Sequence, residues 1–595
     1  MRELSLEPLK FYTGYAKDRH RTLAEEHFES LVRASGIDVG QNRSTVKKYD
    51  AECEKIKKLD AKIKLLKVFF WILIVIGSIG ALILLLGINL LAEGSDEGGG
   101  MVIGGSVSSF IGFLISFAVI RPRIKSAEAM KQKHMSTADG LFREALAQMA
   151  PLNALFDDQT THRLIEKTMP EVKFDRLYSN DAERLLIEDF DYLDMTDDNT
   201  SVLNALSGTL FENPFLFERY MSHEMGTHTY HGTLVIRWTE RRRDGNGRTV
   251  TTTRTQTLHA SVVKPKPYYF VRTHLGFGSQ SAPDLSFTRG ESDTDELSDR
   301  ALARRIKQGE KKLLKKARDA VTRGGSFQEM TNSEFDVLFG ATDRDHEVQF
   351  RLLFTPLAQN NTVDLLRSKD GFGDDFSFIK RGKFNIVKSK HSESWDMNIS
   401  AERYCSHSVD ISKKTFISFN EEYFKSVFFD LAPIMAIPAY REGPVASMKD
   451  PKPYIGCYNQ YEHEALANAI GEAAFAHEAS ATRAILKTSM LEKMGDVDRV
   501  SVIASSYRAV NRIDYVPVFG GDGRTHLVPV PWVEYVPVCK SSEMLVKSLG
   551  HTDKELRDKG AGLPKRGAYL HGILAYAPAA RQSWEQINEF FKKYI

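Results

Sequence analysis

The chain reads as an α+β protein built on a two-helix transmembrane hairpin. A cytosolic helical stalk, a mainly antiparallel β-rich domain and a separate α+β C-terminal module complete it. Three observations predict this. Val68–Ala92 and Met101–Ile120 carry no charged residue and lie almost back to back. From about Phe174 the apolar spacing changes from helical to alternating. After residue 445 come an alanine-rich stretch and a proline-punctuated pair of strands. The expected segments are 1–66, N-terminal helices; 67–121, the hairpin; 122–170, the stalk; 171–444, the β-rich domain with a charged insertion at 284–325; and 445–595, the C-terminal module.

Each apolar run is long enough to cross a hydrocarbon core of roughly 30 Å. The connection, Glu93–Gly100, holds Glu93, Asp96 and Glu97 and no Lys or Arg. Lys55, Lys57, Lys58, Lys62, Lys64 and Lys67 precede the first run; Arg121, Arg123, Lys125, Lys131 and Lys133 follow the second. The positive-inside rule then places both flanks and both termini in the cytoplasm. The alternative, a pair of buried core helices, normally shows a polar face, which these runs lack. Asn89 is their one strongly polar residue, so the hairpin reads as an anchor and not as a transport path. Small residues at helical spacing, Gly77 with Ala81, Gly105 with Ser109 and Ser108 with Gly112, would let backbones approach within the hairpin or between copies.

The stalk follows from Ser44 as a cap, then Val46, Tyr49, Cys53, Ile56 and Ile63 on one helical stripe. A returning stripe of Ile124, Ala127, Met130, Ala138, Leu141, Ala145 and Met149 ends at Pro151. In the β-rich domain, 232–240 and 248–263 flank a turn at Asp244–Gly247, and the threonine-rich second strand has one wet face. Further strands are expected at 264–274, 335–340, 346–355 and 376–390, the last with a turn at Arg381–Lys383; Asn420–Tyr440 is an apolar helix. In the insertion an acidic run, Glu291–Asp299, precedes a basic amphipathic helix. Leu302, Ile306, Leu313, Ala317 and Val321 make its apolar face; Arg304, Arg305, Lys311, Lys312, Lys315, Lys316 and Arg318 fill much of the rest, and Gly324–Gly325 end it. Such a helix would contact anionic lipid or an acidic partner, unless the acidic run folds back over it. In the C-terminal module Tyr461–Leu491 reads as an alanine-rich helix and Ile513–Val538 as a hairpin, its two Tyr-Val-Pro-Val units flanking a Gly-Gly-Asp-Gly turn. A closing helix is expected at about Ser583–Tyr594.

A net charge of +2 over 595 residues gives no nucleic-acid field. Cys53, Cys405, Cys457 and Cys539 are scattered, without zinc spacing or a disulfide framework. His223–His228 is HExxxH, and the extra residue turns the second imidazole about 100° from its HExxH position. His463-Glu464 and His477-Glu478 lie too far apart on one helix for a single metal. Gly520–Arg524 is not a phosphate loop, and Gly371–Asp375 is too short for a calcium loop. No catalytic, cofactor or metal residue is therefore predicted.

Several pieces occur in a familiar order: the hairpin, then Phe174–Leu193, a THTYHGTLVIRW strand entry, and Asn332–Leu366 with Phe354-Thr355-Pro356 at a helix start. Over roughly residues 60–440 the chain resembles a family of bacterial two-span membrane proteins catalogued as domain of unknown function 3137. The resemblance implies a two-pass protein of the bacterial cytoplasmic membrane with a cytosolic β-rich domain, and implies no activity. The insertion at 284–325 and everything after 445 depart from it. The expected function is a membrane-anchored scaffold or sensor, with the lipid bilayer, a protein partner and a homo-oligomer as contacts. The alternatives are an enzyme sited between the cytosolic domains, or a channel lined by Ser106, Ser108, Ser109 and Ser116.

Overall fold

In the computed structural model residues 6–92, 98–192, 197–243, 249–394, 397–441, 458–495, 497–548, 567–570 and 573–578 are described. The loop acids Glu93, Asp96 and Glu97, the turn Asp244–Gly247, Cys457 and the segment Ser583–Tyr594 lie outside them. The chain divides into two compact units: Met1–Ala24, Asp157–Ser400 and Phe419–Ile595 in one, Glu25–Phe156 and Ala401–Ser418 in the other. The first elements are α1 (Pro8–Phe11), α2 (Lys17–Ser35), α3 (Val39–Ala92), α4 (Gly98–Leu114) and α5 (Arg121–Asn153).

The second unit is dominated by α3 and by the continuous run of α4, a π-turn at Ile115–Ile120 and α5. The π-turn stands just before Pro122, which lacks the N–H that an α-helical ladder would direct to residue 118. At 54 residues α3 is about 80 Å long. Both helices are long and apolar enough to cross a membrane. Protein does not cover their apolar sides: Trp71 is 64% exposed, Leu82 66% and Phe110 67%. Beyond the apolar stretch the pair is zipped by Lys67–Glu128 (2.8 Å), Lys131–Asp60 (2.6 Å) and His134–Glu52 (2.6 Å), with Ala127, Ala138 and Ala145 buried between. Pro151 lies inside α5, two residues before its end.

The first unit continues with α6 (Thr160–Thr168), β1 (Val172–Phe174), α7 (Asn180–Phe190), β2 (Thr200–Leu210), β3 (Asn213–Arg243), β4 (Thr249–Gly278) and β5 (Ser286–Arg289). Then come α8 (Asp299–Thr322), α9 (Ser333–Phe339), α10 (Glu347–Leu353), α11 (Pro356–Arg367), β6 (Phe376–Arg381), β7 (Phe384–Ser389), α12 (Lys390–Ser394) and, from Phe419 on, α13 (Val409–Met435). Last are α14 (Gln460–Ile470), β8 (Ile485–Met494), β9 (Val497–Phe519), β10 (Thr525–Ser548), β11 (Gly567–Leu570) and β12 (Ile573–Tyr576). One antiparallel sheet has the order β1-β2-β3-β4-β7-β6-β5, the other β11-β12-β10-β9-β8. The architecture is α+β with antiparallel sheets.

The core sets aromatic residues of the first sheet, among them Phe215, Phe277 and Phe287, against Phe335, Phe339, Phe350, Phe354 and Phe428 of the helices. Two expected strands are among those helices. Residues 335–340 fall in α9, capped by Asn332, and 346–355 in α10, capped by His346. Their buried apolar residues, Phe335, Leu338 and Phe339, then Phe350, Leu353 and Phe354, recur at three- and four-residue spacing, a helical period. The alanine-rich segment is also corrected. Its helix stops at Ile470, where Gly471 takes φ +105°, and from Ile485 the chain is β8, paired to β9. His477 therefore lies on no helix. Arg344 is buried between Asp336 (2.6 Å) and Glu347 (2.8 Å), its guanidinium over Phe327 and Phe350. Lys380 of β6 is also buried, donating to the Ser281 carbonyl at 3.0 Å; burial brings its ammonium down to about 7.

Candidate functional site

The two longest hairpins build a paired arm. β3 and β4 stay in register from Phe215↔Phe277 to Arg243↔Thr249. Their neighbours leave early: β2 pairs no farther than Ser222, and β7 holds only Leu275–Gly278. β9 and β10 pair from Val497↔Lys547 to Phe519↔Thr525, while β8 reaches only Ser505 and β12 only Leu545. A lone two-stranded ribbon is marginal in water. These two escape that by packing face to face.

Alternation decides which side chains meet. Ile236, Leu258 and Val528 are buried between the ribbons, with Leu234, Trp238, Ala260 and Val518 packed on them. Gly232 permits the approach, since a Cβ there would stand 2.1 Å from the Pro529 carbonyl oxygen. Asp514 joins the ribbons: it pairs with Lys264 (2.7 Å) and accepts from the Trp532 indole (2.8 Å), while the Lys264 ammonium lies 4.3 Å from the Trp532 ring centre. The bonds to Lys264 and Trp532 hold the Asp514 carboxyl below its usual range. At the turn, Gly521 N–H donates to Gln256 Oε1 at 2.7 Å.

The two outer faces differ. On β3–β4 the outward residues are mostly polar: Thr233, Thr239, Thr253, Thr255 and Thr257 are exposed, and Val235 and Val263 are the apolar residues among them. On β9–β10 the outward positions opposite one another are Phe519 and Thr525, Pro517 and Leu527, Tyr515 and Pro529, Ile513 and Pro531, Asn511 and Val533. None is charged. Ile513 is 55% exposed, Tyr515 62%, Leu527 59% and Phe519 70%. A contiguous apolar patch of this kind marks an interaction surface. Pro517, Pro529 and Pro531 also remove backbone donors along the free edges, because a ladder proline must turn its nitrogen away from the paired strand. The side-chain face is thus a better contact than strand addition.

Buried polar side chains join the two sheets. Glu464 accepts from Val202 N–H and from Lys487, both at 3.0 Å; burial raises its carboxyl, against the pull of Lys487. Glu462 accepts from Tyr178 N–H at 3.0 Å, and the Tyr192 and Tyr461 hydroxyls meet at 2.9 Å.

A cluster that sequence reading missed lies beside β7. His391 Nδ1 is 2.6 Å from Asp375, its Nε2 is 3.4 Å from Asp430, and Phe372 stacks on the ring at 3.9 Å. Burial opposes charge on His391, but Asp430 and Asp375 outweigh it and raise the imidazole. Burial also raises Asp430, with His391 opposing. The neighbouring Ser392 hydroxyl donates to Asp430 (2.6 Å), so it is not set up as a nucleophile with His391 as its base. His223 of the HExxxH segment lies on β3 between Tyr269 and Tyr507. Among the described residues no three His, Cys, Asp or Glu side chains gather as a metal site.

In the hairpin, a Cβ on Gly112 would lie 2.9 Å from Gly77 Cα, and one on Gly105 2.5 Å from Leu84 N. Gly80 is the closest approach: its Cβ would meet Ser108 Oγ at 2.4 Å and Ser109 N at 2.7 Å. Ala81 is half-buried. Ser108 thus faces the other helix, and Ser116 is buried, donating to the Gly112 carbonyl at 2.8 Å. On α8, Arg305 pairs with Asp293 and Lys316 donates to the Thr342 carbonyl. Arg304, Lys311, Lys312 and Lys315 are exposed.

No family model, no curated protein and no solved structure matches this chain.

Proposed function

We propose that this chain is a two-span protein of a bacterial cytoplasmic membrane that holds a docking arm in the cytoplasm and binds a protein partner through the apolar face of β9–β10. The observation that carries this reading is the uncharged, exposed set Ile513, Tyr515, Phe519 and Leu527 on one face of an arm whose opposite face is threonine-rich. Membrane anchorage is supported by the exposed apolar sides of α3 and α4 and by basic flanks on both. At the junction of the sheets Glu462 and Glu464 are engaged in bonds within the fold, which favours docking over an enzyme reading. Ser108 and Ser116, turned into the hairpin, lend none to a channel.

The test is site-specific photo-crosslinking of the full chain in its native membrane, with a benzophenone amino acid at Phe519 and, as control, at Thr233. The expected result is one protein adduct from Phe519, lost when Tyr515 and Leu527 are changed to Ser, and none from Thr233. An adduct with a second copy would replace docking by self-association. Lipid adducts alone, or equal adducts from both faces, would overturn the reading.

A further inference from the structure

Helix α8 concentrates charge that the rest of the chain lacks. Over Asp299–Thr322 there are nine Lys and Arg against three Asp and Glu, a local +6 in a chain whose total is +2. Its apolar side is already satisfied: Leu302 and Leu313 are buried, Glu310 accepts from Ser333 (2.6 Å), and a Cβ on Gly309 would meet Val337 at 2.3 Å. The remaining surface is therefore not held back for another part of this core.

The acidic run does not cover that surface. Glu291 pairs with Lys390 (3.2 Å), Asp293 with Arg305, and Asp295 accepts from Asp374 N–H at 3.1 Å. Among the described residues, Arg304, Lys307, Lys311, Lys312, Lys315 and Arg318 enter no ion pair. Arg304, Lys307, Lys311, Lys315 and Arg318 recur at three- and four-residue spacing, so they form one stripe about 21 Å long. Asp319 is the one acid on that side. Leu314 (42% exposed) and Val321 (76%) border the stripe. Beside it, Arg304, Arg305, Gln308 and Lys312 line a groove of about 520 Å³ closed by Gly340 and Thr342.

We infer that the basic stripe of α8 is a docking face for an anionic phospholipid surface. Unpaired ammonium and guanidinium groups meet the headgroup phosphates, Leu314 and Val321 enter the interface beside them, and the groove receives a headgroup. An acidic protein would match the charge, but the apolar flanks suit a lipid interface better. Each Lys or Arg brought to such a surface strengthens association about fivefold at moderate salt. The inference rests on the membrane reading above, because tethering supplies the effective concentration that makes a weak contact persist.

The full chain is reconstituted in vesicles of phosphatidylcholine alone and of equal parts phosphatidylcholine and phosphatidylglycerol. Flotation with the neutral vesicles tests insertion by itself. Hydrogen exchange of 299–322 then tests the docking. Exchange should be slower in the anionic vesicles, return to the neutral rate in high salt, and do so at any salt in the Lys307→Gln/Lys311→Gln/Lys315→Gln chain. Equal exchange in both vesicles, or protection that the triple variant retains, overturns the inference while leaving insertion standing. Protection seen only on adding a soluble polyanion such as heparin also overturns it, in favour of an acidic macromolecule. A chain that does not float with neutral vesicles overturns the anchor; its α8 is then read against added anionic vesicles by the same exchange.

Discussion

Gly232→Val should pry the two ribbons of the arm apart. The new Cβ would stand 2.1 Å from the Pro529 carbonyl oxygen and 2.8 Å from Val530 Cα, where an ordinary contact begins at 3.4 Å. Both partners are backbone, so no rotamer change relieves the clash. The ribbons must separate by more than an ångström or bend. Full separation would expose Ile236, Leu258 and Val528, at roughly 1.5–3 kcal/mol per side chain. Partial accommodation would still cost about 1–3 kcal/mol as overpacking. A loss of about 3 kcal/mol in arm stability is expected between these limits. The assay is pulsed electron resonance between nitroxides at Thr255 and Thr525, in a chain whose cysteines are replaced, with hydrogen exchange over 506–538 alongside. The distance distribution should broaden outward and exchange should accelerate. Thr233→Val, one residue away on the wet face, should change neither. A Gly232→Val chain with the parent's distances and exchange would show that the inter-ribbon packing argument is wrong.

Lys380→Met should stabilise the first unit at neutral pH. The unfolded lysine titrates at its ordinary 10.5 and the buried one at about 7, so between those values the unfolded chain binds the extra proton and stability rises with pH. The penalty is complete below pH 7 and fades towards 10.5; at neutral pH the substitution should gain on the order of 4 kcal/mol, less the lost bond to Ser281. Chemical denaturation across that range reads this as a wild-type slope that the variant lacks. Arg344→Met leaves Asp336 and Glu347 buried without their cation and should cost about 3–5 kcal/mol, with Glu347→Gln in the same chain restoring part of it. Gly112→Leu would drive a side chain into the backbone of Gly77 and Leu73 and lower the melting temperature in detergent, whereas Gly104→Leu, with open space at its Cβ, should leave it unchanged.

Much of this was legible because the cues are local. A charge-free run of helix length, the alternation in β3 and β4, and the basic arc of α8 can each be read from a short window. Residues 335–355 were misread because their phenylalanines favour strands by type, while their spacing is helical and Asn332 and His346 supply caps. β8 was hidden by alanines that continue past Gly471, and tertiary pairing with β9 overrides that propensity. Both hairpins of the arm were legible, but their packing against each other was not. It depends on Gly232 meeting Pro529 and Lys264 meeting Asp514, contacts between distant segments with no shared period. The grouping of His391 with Asp375 and Asp430 likewise depends on a helix returning to the end of a strand.

The threonine face has a further consequence for stoichiometry. An arm with two apolar faces could stack copy upon copy, each addition exposing a fresh surface, and so grow into a filament. With one face hydrated and the proline-bearing edges poor in donors, the arm has a valency of one: a single occupant on β9–β10 leaves no equivalent surface for the next. If the arm docks a partner as proposed, its occupancy should saturate as a simple one-to-one isotherm, and a membrane crowded with such chains would titrate that partner without gathering it into clusters.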